Sequence, residues 1–133
     1  MTLTTLVILY LCFRLKQFVC DFLLQTNWMA TAKSHEGWNG YKPLLVHAGI
    51  HGIGTAILML IFAPSLVWLG VVDILLHGCI DRLKALLTQD FQWNPSQFKF
   101  WWALGADQEA HNLTHLSYIV LVVMESGGLY AGI

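Results

Sequence analysis

The feature that most constrains this chain is a set of polar pairs spaced four residues apart inside otherwise apolar segments. Five of the six histidines take part. The pairs are Asp21-x-x-x-Gln25, His47-x-x-x-His51, His77-x-x-x-Asp81, Asp107-x-x-x-His111 and His111-x-x-x-His115. In an α-helix, residues four apart are separated by about 6 Å along the axis and project from one face. Imidazole and carboxylate groups at this spacing are what a helix offers to a divalent metal ion.

The composition favours an integral membrane protein. The chain is 56% hydrophobic and 11% charged, whereas a soluble domain is about 25% charged. Long apolar blocks at 2–15, 44–76 and 116–124 predict membrane helices; the alternative is a very apolar soluble helical domain. A net charge of −1 without a basic stripe argues against nucleic acid as a partner. Three cysteines, an odd number, suggest no disulfide framework.

We predict an all-α fold with a single transmembrane helical domain over 1–133. Four helices, at about 2–25, 44–62, 66–87 and 107–130, form an up-down bundle, and Pro64 separates the second from the third. After Asn94-Pro95-Ser96, residues 97–102 predict either a short helix in the membrane interface or a loop helix packed on the bundle.

Basic residues predict the orientation. The two long connections carry Lys33, Lys42 and Lys99, whereas the short connection and both termini carry none. By the positive-inside rule, we expect the long connections in the cytoplasm and both termini outside, in a bacterial inner membrane.

The up-down arrangement brings the polar pairs to one level, a turn or two inside the cytoplasmic face. The candidate metal ligands are Asp21, His47, His51, His77, Asp81, His111 and His115. Imidazoles and carboxylates without thiolates favour one or two divalent ions, with zinc the leading candidate. We also expect Asp73 to accept a hydrogen bond from the other ring nitrogen of His77. The alternative is that these groups only tie the helices together by hydrogen bonds.

These residues carry a resemblance. The motifs are Asp21-Phe22-Leu23-Leu24-Gln25, Lys33, His47, His77-x-x-x-Asp81-x-x-Lys84 and Asp107-Gln108-x-x-His111. Together they resemble a family of small, uncharacterised bacterial and phage membrane proteins with a domain of unknown function. That family is distantly similar to inner-membrane metal-dependent hydrolases, and its His-x-x-x-Asp motif is similar to ligand motifs of zinc-dependent phospholipase C and P1-type nucleases. Many relatives have a histidine where this chain has Gln17; His51 and His115 would compensate.

Three functional hypotheses follow. The first is a metal-dependent hydrolase of a phosphoester in a lipid or lipid-linked substrate, with Asp107 or Asp81 as general base and Lys84 holding the anion. Lys84 is otherwise an ordinary lysine whose stem lies along apolar surface at a helix end. The second is a membrane scaffold or partner subunit with a structural metal. The third is an oligomeric ion or metal conduit. Expected partners are membrane lipid and a protein partner or second copies of the chain.

Overall fold

The computed structural model describes residues 1–129. Its long helices are α1 (Leu3–Phe18), α3 (Trp38–Phe62), α4 (Leu69–Asp90) and α5 (Phe98–Glu125), and the short helix α2 (Asn27–Ala32) lies between α1 and α3. The described part of the chain contains no strand. The all-α prediction is therefore confirmed, whereas the predicted end of the last helix at Tyr130 lies outside the described residues.

The first helix changes its winding where Asp21 enters the bundle. The hydroxyl of Thr2 caps α1 by accepting a hydrogen bond from the backbone N–H of Thr5 at 3.1 Å. At its other end α1 continues as a π-helical turn over Val19–Leu23. Such wide turns often occur at functional sites because they re-aim a side chain. Helix α2, which the sequence did not predict, follows at once, with Thr26 as its N-cap.

Helices α3 and α4 make the most extensive contact of any two elements. The predicted break at Pro64 is present as a short 3₁₀ turn, Pro64–Leu66. Further along, Gly52 of α3 meets Gly70 of α4 so closely that a Cβ on Gly52 would lie 2.5 Å from the carbonyl oxygen of Gly70. Because neither residue has a side chain, the two backbones approach and bring the histidines of both helices within reach of each other.

The predicted short helix at 97–102 is wrong as a separate element. Residues 98–102 form the first turn of α5, which runs without a break from Phe98 to Glu125. The segment that follows Trp102 is Ala103-Leu104-Gly105-Ala106, and a single glycine costs a helix only about 1 kcal/mol. The helix therefore has no strong breaker before Asp107. Phe98 and Trp102 are exposed at its beginning.

The bundle has an apolar half and a polar half. Near the termini, an apolar cluster that includes Leu9, Phe13, Met59 and Ile119 fills the interior. Toward the other end, the buried side chains are mainly histidine, aspartate and lysine. Of the helices in 1–129, one, Trp38–Phe62, is long and apolar enough to cross a membrane. The prediction of four such helices is not met, because α1 has only 16 residues and charged side chains interrupt α4 and α5.

Candidate metal centre

Six of the seven predicted ligands lie together in the polar half of the bundle. They form two overlapping groups in which one potential ligand atom from each residue lies within 4.8 Å of the others. The first group contains Asp21, His47, His51 and His77, and the second contains His77, Asp81 and His111. The π-helical turn, α3, α4 and α5 each contribute to this centre.

In the first group, one carboxylate oxygen faces the histidines. Asp21 Oδ1 lies 3.0 Å from His51 Nε2 and 3.2 Å from His47 Nε2. His47 Nε2 in turn lies 3.2 Å from His77 Nε2. The Nε2 atoms of three rings and one carboxylate oxygen thus point at a common space.

Two amide side chains fix the orientation of Asp21. Gln17 Nε2 donates to Asp21 Oδ2 at 2.6 Å, and Gln108 Nε2 donates to the same oxygen at 3.0 Å. Oδ2 is therefore occupied, and Oδ1 remains for the centre. Gln17, where the resemblance implied a histidine in many relatives, supports the aspartate and does not contribute an imidazole.

The second group is built around Asp81. Its Oδ1 lies 3.3 Å from His111 Nε2, and its Oδ2 lies 3.7 Å from His77 Nε2 and 3.4 Å from His47 Nε2. The ring of His77 is stacked between those of His51 and His111, at centroid distances of 3.6 and 4.0 Å. The stack places His77 between the two groups.

The donor set fits a divalent ion better than it fits hydrogen bonding alone. His47 Nε2 lies within 3.4 Å of Asp21 Oδ1, Asp81 Oδ2 and His77 Nε2. A neutral imidazole has one N–H, so it cannot serve several acceptors. The Nδ1 atoms of His47, His51 and His77 are buried without a hydrogen-bond partner among the described residues. No described side chain or backbone group therefore fixes the tautomers of these rings from the far side.

Lys33 is a residue of the centre that the site prediction missed. It follows α2, is buried, and forms an ion pair with Asp81 through Oδ2. Arg82 donates a hydrogen bond to the backbone carbonyl of Lys33 and so holds the segment in place. The only signal in the sequence was the presence of Lys33 among the motifs of the resembling family.

His115, the seventh predicted ligand, lies outside both groups. One turn further along α5 than His111, its Nε2 accepts a hydrogen bond from Lys16 at 3.0 Å. Lys16 also forms a buried ion pair with Asp73 at 2.7 Å, and Thr55 donates to the same carboxylate at 2.6 Å. The predicted bond between Asp73 and His77 is wrong, because the polar partners of Asp73 are Lys16, Thr55, His115 and Tyr118.

Asp107 and Lys84, the predicted catalytic residues, border a small cavity beside the centre. The cavity has a volume of about 80 Å³, and its walls also include Asp21 and Asp81. Asp107 is buried, its Oδ1 lies 3.5 Å from His111 Nε2, and that oxygen accepts no hydrogen bond in the described structure. Lys84 is half-buried and has no ion pair within residues 1–129. Neither residue belongs to a ligand group, but both line a cavity that two of the ligands, Asp21 and Asp81, also line.

A larger chamber shares part of its lining with this small cavity. Its volume is about 540 Å³. The two spaces share four lining residues, Gln25, Lys33, Asp81 and Lys84. The chamber therefore connects the second ligand group with the surface between α2 and α4.

Comparison with known proteins identifies a family and no activity. A sequence model described as "Protein of unknown function (DUF3307)" matches residues 6–131. No curated protein and no solved structure matches the chain. The predicted membership of a family of unknown function is confirmed, whereas the wider likeness to membrane hydrolases stays a prediction.

Proposed function

The chain belongs to the DUF3307 family, and we propose that it is a membrane-embedded, metal-dependent hydrolase of a phosphoester. The observation that carries the proposal is the second ligand group. It has three donors, His77, Asp81 and His111, and Asp81 borders a cavity that also exposes Lys84. Catalytic zinc sites in proteins have three protein ligands and keep one position open, whereas structural sites are closed by four.

The distribution of polarity supports a membrane environment. The interior holds charged and histidine side chains, including Asp73 and His77, each 1% exposed. The outer surface carries large apolar side chains along every long helix, such as Leu15, Ile61, Leu75 and Leu113, each more than 60% exposed. A soluble protein rarely exposes extended apolar surface, so hydrocarbon is the environment that suits this bundle.

The charges that interrupt α1 and α4 favour the same proposal. Lys16, Asp73 and Asp81 all point inward and are less than 10% exposed. Ionisable side chains within membrane helices face the bundle interior and pair with one another, as these do. We therefore retain four crossings as a proposal, in a bacterial inner membrane, with the long connections cytoplasmic, both termini outside, and lipid as the surrounding partner.

Two ions, each with three protein ligands, would use all six donors. One imidazole Nε2 binds one ion, so His77 belongs to a single site. If His77 joins Asp81 and His111, then Asp21, His47 and His51 remain for the other ion. Two neighbouring sites with open positions are typical of phosphoester hydrolases, and nitrogen and oxygen ligands without thiolate favour zinc. Bound ions would polarise the phosphoryl oxygen and make a coordinated water more acidic.

The chain's own residues would handle the substrate and the proton. The Lys84 ammonium has no charged partner among residues 1–129 and would hold the phosphate in the cavity. Asp107 Oδ1, which lies 3.5 Å from His111 Nε2, would take a proton from water. Its Oδ2 accepts a hydrogen bond from Gln108 at 3.4 Å, so the carboxylate is oriented through one oxygen only. Ion-paired Lys33 would hold Asp81 in place.

A scaffold or partner subunit with a structural metal is the second candidate. It is favoured by the first ligand group, which has four donors when His77 is counted there. Three of those four residues are buried, and the fourth, Asp21, is half-buried. One ion in a closed site of four ligands would staple the helices and leave no position for water.

A phospholipid hydrolysis assay tests the proposal. The full chain, purified in dodecyl maltoside and loaded with Zn²⁺, is mixed with phospholipids, and release of the phosphate-bearing product is measured before and after chelation. We expect turnover that chelation abolishes and Zn²⁺ restores. Lys84→Gln should lower kcat/KM by about 10- to 100-fold, as expected for a lost charged contact. Lys99→Gln, a change of an exposed lysine away from the cavity, is the matched control.

If the metal-loaded protein cleaves none of these phosphoesters, the hydrolase proposal is contradicted. The second candidate, a scaffold or partner subunit with a structural metal, would then be favoured. Equal loss of activity in Lys84→Gln and Lys99→Gln would contradict the role of Lys84.

A further inference from the structure

We infer that the substrate is a phosphodiester whose phosphate lies between a single hydrocarbon chain and a polar group, with the chain held in the groove between α4 and α5. The inference rests on the proposed function and names the substrate class of the same site. It is carried by three neighbouring spaces that are all lined by Lys84.

The groove is apolar and has a volume of about 210 Å³. One wall is a face of α4 with Ile80, Leu83 and Leu87, spaced three and four residues apart. The other wall is a face of α5 with Ala103, Ala106 and Ala110 at the same kind of spacing. Small alanines opposite larger aliphatic side chains leave room between the helices, and the resulting surface suits hydrocarbon and not a polar ligand.

The middle of the groove is polar and borders the candidate centre. Lys84 and Asp107 line both the groove and the small cavity beside the ligand groups. Asp107 is 7% exposed, and its Oδ1 accepts no hydrogen bond. A ligand that lies in the groove therefore passes a buried carboxylate oxygen and an ammonium that has no ion pair among the described residues. The phosphate of an amphiphile would lie at this point, with its chain in the apolar part of the groove.

Lys84 also lines the larger chamber of about 540 Å³. Thr31, Ser34, Gln89 and Gln92 line this chamber together with Trp93 and Phe100, so it offers hydroxyl and amide groups beside aromatic surface. A phosphomonoester of a long-chain alcohol would leave this space empty. A phosphodiester would place its second substituent here. Hydrolysis of the P–O bond on this side, with the hydroxyl of water added to phosphorus and its proton passed to the leaving oxygen, would release the polar alcohol toward the surface and leave an alkyl phosphate with its chain in the groove.

Binding of hexadecylphosphocholine tests the assignment without requiring turnover. This single-chain phosphodiester is titrated, as a radiolabelled probe, into the zinc-loaded full chain in dodecyl maltoside. Ala106→Trp fills the groove from an exposed position, and Val120→Trp adds the same side chain on α5 roughly 21 Å away along the axis. We expect Ala106→Trp to weaken binding about tenfold or more, because displacing two methylene groups has that effect, and Val120→Trp to change it less than twofold.

Phosphocholine without the chain should bind at least about tenfold more weakly than the hexadecyl compound. Unchanged binding in Ala106→Trp, with normal metal content, would overturn the groove assignment and leave the hydrolase proposal intact. Equal affinity for phosphocholine and its hexadecyl ester would overturn it as well. Absence of metal from the wild-type protein would instead contradict the proposed function, so the two failures are distinguishable.

Discussion

Gly52→Ala should weaken both the fold and the metal centre, because Gly52 sets the distance between α3 and α4. A Cβ at this position would lie 2.5 Å from the Gly70 carbonyl oxygen and 2.2 Å from Ile74 Cγ1. An ordinary contact begins at 3.4 Å, so the backbones must separate by about 0.9 Å, the difference between 3.4 and 2.5 Å. Overpacking of this kind costs about 1–3 kcal/mol of the free energy of unfolding.

The same separation should weaken metal binding. His51 precedes Gly52 on α3, and its ring stacks on His77 of α4 at 3.6 Å. Moving α3 away from α4 breaks the ring stacking that holds His51 and His77 in position, and so disturbs one donor in each of the two neighbouring sites. We expect Gly52→Ala to lower the affinity for Zn²⁺ as well as the melting temperature, measured by competition with a chelating dye and by thermal unfolding in detergent.

Gly49→Ala is the matched control for this prediction. It lies on the same helix, and a Cβ there would meet nothing within 4 Å. Because alanine favours a helix over glycine, we expect this variant to be as stable as the parent or about 0.4–1 kcal/mol more stable. If Gly52→Ala melts and binds zinc like Gly49→Ala, the close helix contact does not position the centre and the reasoning is refuted.

Three further predictions concern the proton acceptor, the deeper ion pair and the topology. Asp107→Asn should abolish phospholipid turnover while metal content and melting temperature stay near wild type, since Asp107 is in neither ligand group; parallel loss of metal would contradict its role as base. Lys16→Met should lower the free energy of unfolding by about 3–5 kcal/mol, because it leaves the buried Asp73 carboxylate without its ion-pair partner. The double variant Lys16→Met with Asp73→Asn should recover much of that loss, as measured by thermal unfolding. In a cysteine-free background, Ser34→Cys and Ser96→Cys in the two long connections should resist an impermeant maleimide in intact cells, and labelling from outside would invert the proposed topology.

The long helices could be predicted from the sequence because apolar blocks and one proline mark them. The break at Pro64 is where we expected it. Helix α2 could not be predicted in the same way, since its six residues carry no long apolar repeat, and its existence depends on the Thr26 cap and on packing against α3. The predicted interfacial helix failed because the composition of 97–102 does not say whether the helix stops before Asp107.

The convergence of six donors could be predicted from their spacing and the order of the helices, since an up-down bundle aligns the helix ends that carry them. The residues that contact each donor could not be predicted. His115 lies on the same face of α5 as His111, but one turn along the axis is enough to place it beside Lys16 instead of the centre. Lys33 sits in a connection, and the sequence contains no periodicity that would direct it to Asp81.

The most direct test of the account is the number of metal ions per chain. Purified protein, reconstituted with Zn²⁺ and freed of unbound metal, is compared with His51→Ala and His111→Ala by elemental analysis. Two sites of three ligands predict two ions in the wild type and one in each variant, because each histidine belongs to a different site. One ion in the wild type, retained in His111→Ala and lost in His51→Ala, would place a single closed site at Asp21, His47, His51 and His77. That result would contradict the hydrolase proposal and support a structural metal.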